Sequence, residues 1–132
     1  MKRYLRFGAA ALVAGALLSC SEGPTAGELE IVLDTPRSDL GAIQFVIVSA
    51  EPASVDSVTV ACAGCGLFDA RIGTAEVRGI VTGLLTAGVV FRVTVPDLAL
   101  AASYAISVQQ ASTRDYEALP PSGIVLRVSV PR

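Results

Sequence analysis

Apolar and polar residues alternate along the chain from Leu29 to its C-terminus, which is the spacing of β-strands that are buried on one side. Leu29, Ile31 and Leu33 share one phase of the first segment, and Glu30 and Asp34 occupy the other. Seven more segments follow the same pattern, at residues 43–47, 57–60, 68–72, 76–81, 89–95, 104–109 and 124–130. Because successive side chains of a strand point to opposite faces, the pattern predicts eight strands, each with a core side and a solvent side.

The aromatic residues of these segments mark the predicted core. Phe45, Phe68, Phe91 and Tyr104 all fall on the apolar phase, so we expect their side chains to point inward. The other apolar positions on this phase include Ile43, Ile47, Val58, Val60, Ala70, Ile72, Val77, Val81, Val89, Val93, Val95, Ile106, Val108, Ile124, Leu126, Val128 and Val130.

Short turns rich in Pro, Gly, Asp and Ser separate the segments. They lie at residues 35–39, 51–53, 63–66, 73–74, 86–88, 96–97 and 120–123. Strands with turns at this spacing predict an all-β fold, an antiparallel β-sandwich of eight or nine strands. One short helical turn is expected at Asp97–Ser103, with Asp97 as its N-cap. A parallel sheet would require crossover helices, and the pattern predicts none.

The N-terminus has the organisation of a secretory signal. Lys2, Arg3 and Arg6 precede the uninterrupted apolar run Phe7–Leu18. A helix needs about 20 apolar residues to span a bilayer, and this run is shorter. A basic start followed by a short apolar stretch predicts a cleaved leader.

The residues after this run resemble the lipobox of bacterial lipoproteins, as Leu17-Leu18-Ser19-Cys20. The resemblance implies a signal peptide at 1–19, cleavage before Cys20 and a lipid anchor on its sulfur. Ser21, rather than Asp, follows the cysteine, which in such lipoproteins implies export to the outer membrane. Residues 20–27 then form the lipidated cysteine and a flexible tether, and residues 28–132 form the sandwich domain. Ordinary secretion with another cleavage site is the alternative.

The composition of residues 20–132 narrows the function. Seven arginines against twelve acidic residues give a net charge of −5, and Lys, His, Trp and Asn do not occur in this part. An acidic domain without a basic cluster lacks the electrostatic footprint of a nucleic-acid-binding protein. Without His or Lys it also lacks the commonest general base and metal ligand and the P-loop lysine. We therefore predict a protein that is not an enzyme and that binds no cofactor and no metal.

Cys62 and Cys65 are separated by two residues in a predicted turn. The ends of a four-residue turn lie under about 7 Å apart, which is within reach of a disulfide. Export to an oxidising compartment favours this pairing. Three alternatives stay open. A redox motif needs a helix after the first cysteine, and a metal half-site needs further ligands. The third alternative is two free thiols.

The carboxylates supply two further alternatives. Asp34 and Asp39 flank a turn, where they would contribute to a calcium site if enough further oxygens joined them. A glycosidase needs two carboxylates about 5–10 Å apart in a cleft. Turn-forming aspartates are the simpler interpretation of this pair.

The order of segments resembles the cohesin-like β-sandwich family, a jelly roll of eight or nine strands. The residues that carry the resemblance are Gly41–Phe45, Ala75–Val81, Val90–Val95, Tyr104–Val108 and Ile124–Val130. Because cohesins bind dockerin modules, the resemblance implies protein recognition or scaffolding. A fibronectin-type or immunoglobulin-type sandwich is the rival, in which Tyr104 would form a tyrosine corner.

These observations predict a lipid-anchored recognition domain that binds a protein partner at the envelope surface. The expected contact region is the loop Ala111–Ser122, which contains Arg114, Tyr116 and Glu117. Tyr and Arg are the residue types most enriched at binding hot spots. The alternative interpretation of Tyr116 is packing on the rim of the sandwich. The alternative functions are a carbohydrate-binding module, which exposed aromatics would favour, and a carboxylate-based hydrolase.

Overall fold

The computed structural model describes residues 23–132, so the predictions for the leader and for Cys20 lie outside the described residues. Nine strands occur in this part of the chain. They are β1 (Gly27–Asp34), β2 (Leu40–Ser49), β3 (Ser57–Val60), β4 (Gly66–Ile72), β5 (Glu76–Leu85), β6 (Gly88–Val95), β7 (Tyr104–Thr113), β8 (Ala118–Leu119) and β9 (Val125–Ser129). They form a four-stranded sheet in the order β3-β6-β1-β9 and a five-stranded sheet in the order β4-β5-β2-β7-β8. Every pairing is antiparallel, which confirms the predicted β-sandwich.

The core lies between the two sheets and follows the predicted alternation in most strands. Its largest fully buried side chains include Phe45, Phe91, Leu29, Ile31, Leu33, Ile43 and Ile47. The rings of Phe45 on β2 and Phe91 on β6 stack across the sandwich, with centroids 4.4 Å apart. Gly79 on β5 leaves space for the Phe45 ring, since a Cβ built there would lie 2.5 Å from its Cζ.

The end of the sandwich near the N-terminus is closed by the predicted helical turn. A 3₁₀ helix spans Leu98–Ser103, and the Asp97 side chain caps it by accepting from the Ala99 N–H at 3.0 Å. Thr25 joins this cap, because its carbonyl accepts from the Leu98 N–H at 2.8 Å. The chain is therefore held from Thr25 onward, two residues before β1 begins.

Tyr104 also closes this end, but it does not form a tyrosine corner. Its hydroxyl donates to the carbonyl of Ser54, which lies 50 residues earlier in the β2–β3 connection. A tyrosine corner bonds the backbone only a few residues upstream. Burial raises the pKa of the Tyr104 phenol, although the hydrogen bond to Ser54 opposes this shift.

The phase predicted for residues 68–72 is wrong. In β4 the residues opposite the core positions of β5 are Leu67, Asp69 and Arg71, so Phe68 and Ile72 point away from the core. Phe68 is 69% exposed and Ile72 is 48% exposed. The strand lies at the edge of its sheet, and of its core-side residues only Leu67 packs on the core.

The core side of β4 carries charge because the sandwich is open along this edge. Arg71 reaches across the opening and donates to the carbonyl of Asp56, just before β3. Charged residues that point inward on an edge strand are a recognised protection against pairing with other chains. Val60 and Val130 were also predicted to be inward and are exposed, because β3 is a short edge strand and Val130 follows the end of β9. At β6 a register shift buries Val90 in place of Val89.

Candidate functional site

The segment that contains Tyr116 is a tight hairpin rather than the predicted loop. β7 extends to Thr113, and β8 returns beside it at Ala118. The Tyr116 N–H donates to the Thr113 carbonyl at 3.1 Å, and the Thr113 N–H donates to the Glu117 carbonyl at 2.9 Å. Three residues, 114–116, therefore connect the hydrogen-bonded pair Thr113 and Glu117, and they form a turn whose last residue has left-handed backbone, a position that usually holds Gly.

Tyr116 occupies that left-handed position, with φ of 68°. It is the one non-glycine residue of the described chain with positive φ, and 92% of its surface is exposed. A large side chain at such a position costs free energy, of order 1 kcal/mol, that Gly would not cost. The sequence keeps an aromatic ring here at the expense of backbone strain, and the ring is displayed to solvent rather than packed on the rim.

Arg114 holds this hairpin to the connection between β1 and β2. Its N–H donates to the Asp39 carbonyl at 3.0 Å, and its guanidinium donates to the Ser38 carbonyl. Gly41 permits this approach, because a Cβ built there would lie 2.8 Å from the Arg114 Cα. Arg114 therefore positions Tyr116 through the hairpin.

An ion pair stiffens the same connection. Arg37 donates two hydrogen bonds, each of 2.9 Å, to the two carboxylate oxygens of Asp39. These bonds lower the pKa of the Asp39 carboxyl and raise the pKa of Arg37, and Arg114 adds to the effect on Asp39 through its charge. The carboxylate of Asp39 is therefore already paired with the guanidinium of Arg37.

The outer face of the five-stranded sheet begins beside this hairpin, and we call it the neutral face. Register and alternation place on it Phe68, Ala70, Ile72, Glu76, Arg78, Ile80, Thr82, Ala42, Gln44, Val46, Val48, Ser107, Gln110 and Ser112. Only two of these residues are charged, and they pair with each other, Arg78 Nε to Glu76 Oε2 at 3.3 Å. The rest are apolar, hydroxyl or carboxamide side chains.

Three adjoining hollows cross the neutral face. One, of about 180 Å³, lies beside Tyr116 and is lined by Gln44, Ile80 and Gln110 among others. A second, of about 460 Å³, shares Tyr116 with the first and extends towards Gly64 and Leu84. The third, of about 430 Å³, shares Gln44 and Ile80 with the first and ends at Phe68. Together these hollows form a shallow groove across the strands, with Tyr116 and Phe68 along it.

The outer face of the four-stranded sheet is different, and we call it the charged face. Its outward positions include Glu28, Glu30, Asp34, Arg92 and Arg127. Arg92 lies 3.5 Å from Glu30, an exposed pair of the kind that contributes little to stability. One outer face of the sandwich is thus strongly polar, and the other is nearly uncharged.

Cys62 and Cys65 lie at disulfide distance, with Sγ atoms 1.97 Å apart and Cα atoms 5.5 Å apart. They enclose the turn between β3 and β4, and a Cβ built at Gly83 would lie 3.1 Å from the Cys65 Cα. The turn therefore packs against β5, where its Gly64 lines the second hollow.

The structure brings Arg114, Tyr116 and Glu117 together on one hairpin, but it gives them different environments. Tyr116 faces the groove, Arg114 bonds the backbone of Ser38, and Glu117 is exposed, with a charge that helps to raise the pKa of Arg37. Sequence reasoning missed Phe68 because it assigned the apolar phase of β4 to the core. The one signal that could have revealed the outward orientation of Phe68 is Leu67, an apolar residue on the opposite phase of the same strand.

Two further properties of residues 23–132 bear on function: the grouping of metal-ligating side chains and the length of helices. No group of three or more His, Cys, Asp or Glu side chains in this range is placed to hold a metal ion. No helix in the same range is long and apolar enough to cross a membrane. Asp34 and Asp39 therefore form no such metal-binding group.

Comparison of the chain with protein-family models, with curated proteins and with solved structures gave no match.

Proposed function

We propose that this protein is a non-catalytic recognition domain, anchored to the bacterial cell envelope through lipidated Cys20, that binds a protein partner with its neutral face. The observation that carries the proposal is the inverted β4 strand. Its apolar Phe68 and Ile72 face solvent, while Asp69 and Arg71 take the core side. Exposed apolar residues that gather on one face of a soluble domain mark a contact surface.

The exposed apolar residues are concentrated around this face. Of the eight large ones between residues 23 and 132, Val48, Phe68 and Ile72 lie on the neutral face, and Leu84 and Tyr116 line its hollows. Burying such side chains against a partner supplies the main favourable term of association. The charged face presents Glu30, Arg92 and Arg127 to solvent instead.

The chemistry of the groove favours binding over catalysis. Its lining is mostly amide, hydroxyl and apolar, and Asp69 is the one carboxylate among the residues that line the three hollows. A carboxylate-based hydrolase needs two converging acids, so this lining does not support that alternative.

Export and anchoring rest on the N-terminal sequence. The basic start, the apolar run and the lipobox-like residues up to Cys20 support a signal peptide and a lipid anchor, and Ser21 supports the outer membrane. The resemblance to cohesin-like domains supports a protein as the partner.

A carbohydrate-binding module is the second candidate, because Phe68 and Tyr116 are both exposed along one groove. Gln44 and Gln110 between them offer hydrogen-bond donors and acceptors to a sugar. Protein remains the first candidate, since the apolar surface extends beyond the groove to Ile72 and Val48.

The test is capture of envelope proteins by the soluble domain, residues 23–132, followed by purification of the captured protein and measurement of its dissociation constant. We expect Phe68→Glu and the double variant Arg114→Ala/Tyr116→Ala to lose the partner. Val125→Glu is the matched control, because Val125 is an exposed apolar residue on the edge strand of the other sheet. Equal binding by Phe68→Glu and wild type would move the site elsewhere. Hydrolase activity abolished by one carboxylate substitution would contradict the non-catalytic assignment.

A further inference from the structure

We infer that the Cys62–Cys65 disulfide is a positioning element of the recognition groove. It holds the β3–β4 connection as one wall of the second hollow, so that the oxidised domain binds its partner tightly and the reduced domain, although still folded, binds it weakly. The inference rests on the proposed function, because it concerns the same groove. The oxidation state of this cysteine pair therefore controls recognition.

The disulfide lies where the two sheets are joined along one side of the sandwich. β3 is an edge strand of the four-stranded sheet, β4 is an edge strand of the five-stranded sheet, and residues 61–65 connect them. The N–H groups of Ala61 and Cys62 both donate to the Val90 carbonyl on β6, at 3.0 and 3.3 Å. Cys62 is thus tied to the four-stranded sheet, and Cys65 immediately precedes β4. The bond between them couples the start of β4 to the other sheet.

The backbone of β5 makes room for the turn that the disulfide closes. Residues 62–65 form a β-turn in which the Cys65 N–H donates to the Cys62 carbonyl at 3.3 Å, and its third residue, Gly64, is left-handed with φ of 71°. Gly83 on β5 has φ of 129°, and a Cβ built there would lie 3.3 Å from the Cys65 Sγ and 3.4 Å from the Gly64 carbonyl oxygen. The sulfur and the turn therefore rest directly against the β5 backbone.

The second hollow depends on this seat. Gly64 and Gly83 line it from the turn and from β5, and Arg114 and Tyr116 line it from the hairpin after β7. The hairpin is held by its own hydrogen bonds and by those of Arg114. Gly64 is exposed in a short connection, so the covalent bond beside it is what fixes the opposite wall at its distance from Tyr116.

The fold itself depends little on the bond. The disulfide closes a loop of only four residues, which in the chain-entropy account changes the unfolding equilibrium constant by at most about 30-fold. Both cysteines are only partly buried at the margin of the core, whereas the largest fully buried side chains lie on β1, β2, β5 and β6. Reduction should therefore release the turn and leave the domain folded.

Amide hydrogen exchange of residues 23–132, which contain every strand and the core described above, tests the positioning without a partner. Dithiothreitol, a dithiol, reduces the bond by two thiol–disulfide exchanges, which leave two thiols on the protein and the reagent as a cyclic disulfide. We expect exchange at residues 61–66 and at Gly83 and Leu84 to rise at least about tenfold, while β1 and the Tyr116 hairpin keep their protection. The double variant Cys62→Ser/Cys65→Ser should show the same pattern, and dithiothreitol should not change that variant further.

Recognition separates positioning from stability. The probe is the envelope protein that the oxidised domain captures, and its dissociation constant should rise at least about tenfold both on reduction and in the double variant. Ile31→Val is the matched control, because it removes one buried methyl group from β1 and lowers stability without touching the groove. This control should bind as the wild type does, whereas an equal loss in Ile31→Val would assign the effect to stability.

Unchanged exchange at Gly83 and Leu84 after reduction, or an unchanged dissociation constant, overturns the inference. Global unfolding by dithiothreitol also overturns it, because the bond would then hold the fold rather than the groove. If Phe68→Glu binds the captured protein as the wild type does, the proposed function fails, while the exchange result still decides whether the disulfide positions the hollow.

Discussion

Replacing Tyr116 with Gly should stabilise the domain and at the same time abolish its recognition of a partner. The ring of Tyr116 is 92% exposed, so its removal forfeits only about 0.2 kcal/mol of burial. Its backbone, at φ of 68°, is left-handed, a conformation that costs a non-glycine residue about 1–2 kcal/mol. Gly relieves that cost but adds about 0.5–1 kcal/mol of unfolded-state entropy.

The balance is a gain of about 0.5 kcal/mol in the free energy of unfolding. For a domain of this size, that gain corresponds to a rise of about 2–4 °C in Tm. Tyr116→Ala keeps the strained backbone and should therefore be about 1 kcal/mol less stable than Tyr116→Gly. Comparing the two variants separates the contribution of the backbone from that of the ring.

Urea denaturation of both variants and of the wild type measures these differences, and capture of the envelope partner measures recognition. We expect Gly to exceed Ala in stability and both variants to lose the partner. A Tyr116→Gly domain that is less stable than Tyr116→Ala would mean that the backbone is not strained. A loss of more than 1 kcal/mol in both variants would mean that the ring packs on the sandwich.

Further substitutions test the core, the cysteines and the anchor. Phe91→Ala should lower the free energy of unfolding by about 3–5 kcal/mol, because Phe91 is fully buried and stacked on another ring. Arg92→Ala should lower it by about 0.5 kcal/mol. Equal denaturation midpoints for the two variants would contradict the strand phase. Alkylation of the exported soluble domain before reduction should leave Cys62 and Cys65 unmodified in the intact mass, and two added groups would show free thiols. Radiolabelled palmitate should enter the wild-type protein but not Cys20→Ser, and equal labelling of both would exclude lipidation at this residue.

Much of the fold could be predicted from alternation alone, because a strand within a sandwich can bury its apolar side only by pointing it at the facing sheet. Leu29, Ile31 and Leu33 are all buried on the predicted face of β1. The same holds for Ile43, Phe45 and Ile47 on β2. At these positions local pattern and tertiary burial agree, as they do in sequences that specify one structure.

The phase of β4 could not be predicted in this way. Alternation identifies a strand but does not show which side the protein covers, and the usual rule assigns apolar residues to the core. At an edge that β3 covers only in part, Asp69 and Arg71 keep access to solvent on the core side. Phe68 is therefore free to face outward, where the rule does not place it.

The hairpin at Thr113–Glu117 was missed for a related reason. The usual signal for a three-residue connection is Gly at the left-handed position, and Tyr116 stands there instead. Sequence reasoning still selected Tyr116, because it is an aromatic residue outside the predicted strands. Its residue type was informative, whereas the conformation that displays it depends on Gly41 and on the contacts of Arg114.

Both departures from the sequence rules concern the same side of the molecule. Phe68 faces solvent from β4, and Tyr116 stands in a strained position at the other margin of the same groove. Folding requires neither side chain, since a polar residue at position 68 and Gly at position 116 would suit the local structure better. Departures of this kind are expected where a surface is shaped for binding.

The anchor proposed at Cys20 is compatible with recognition by the neutral face. The chain enters the sandwich at Thr25, beside the Asp97 cap, whereas the Tyr116 hairpin is tied to the connection at the far end of β1. The eight residues of β1 separate these ends by about 26 Å. If Cys20 is lipidated as proposed, only four residues separate it from the fixed Thr25, which would direct the hairpin end away from the bilayer. The groove then crosses the strands on the side of the domain, where an envelope protein that stands beside the domain would contact it.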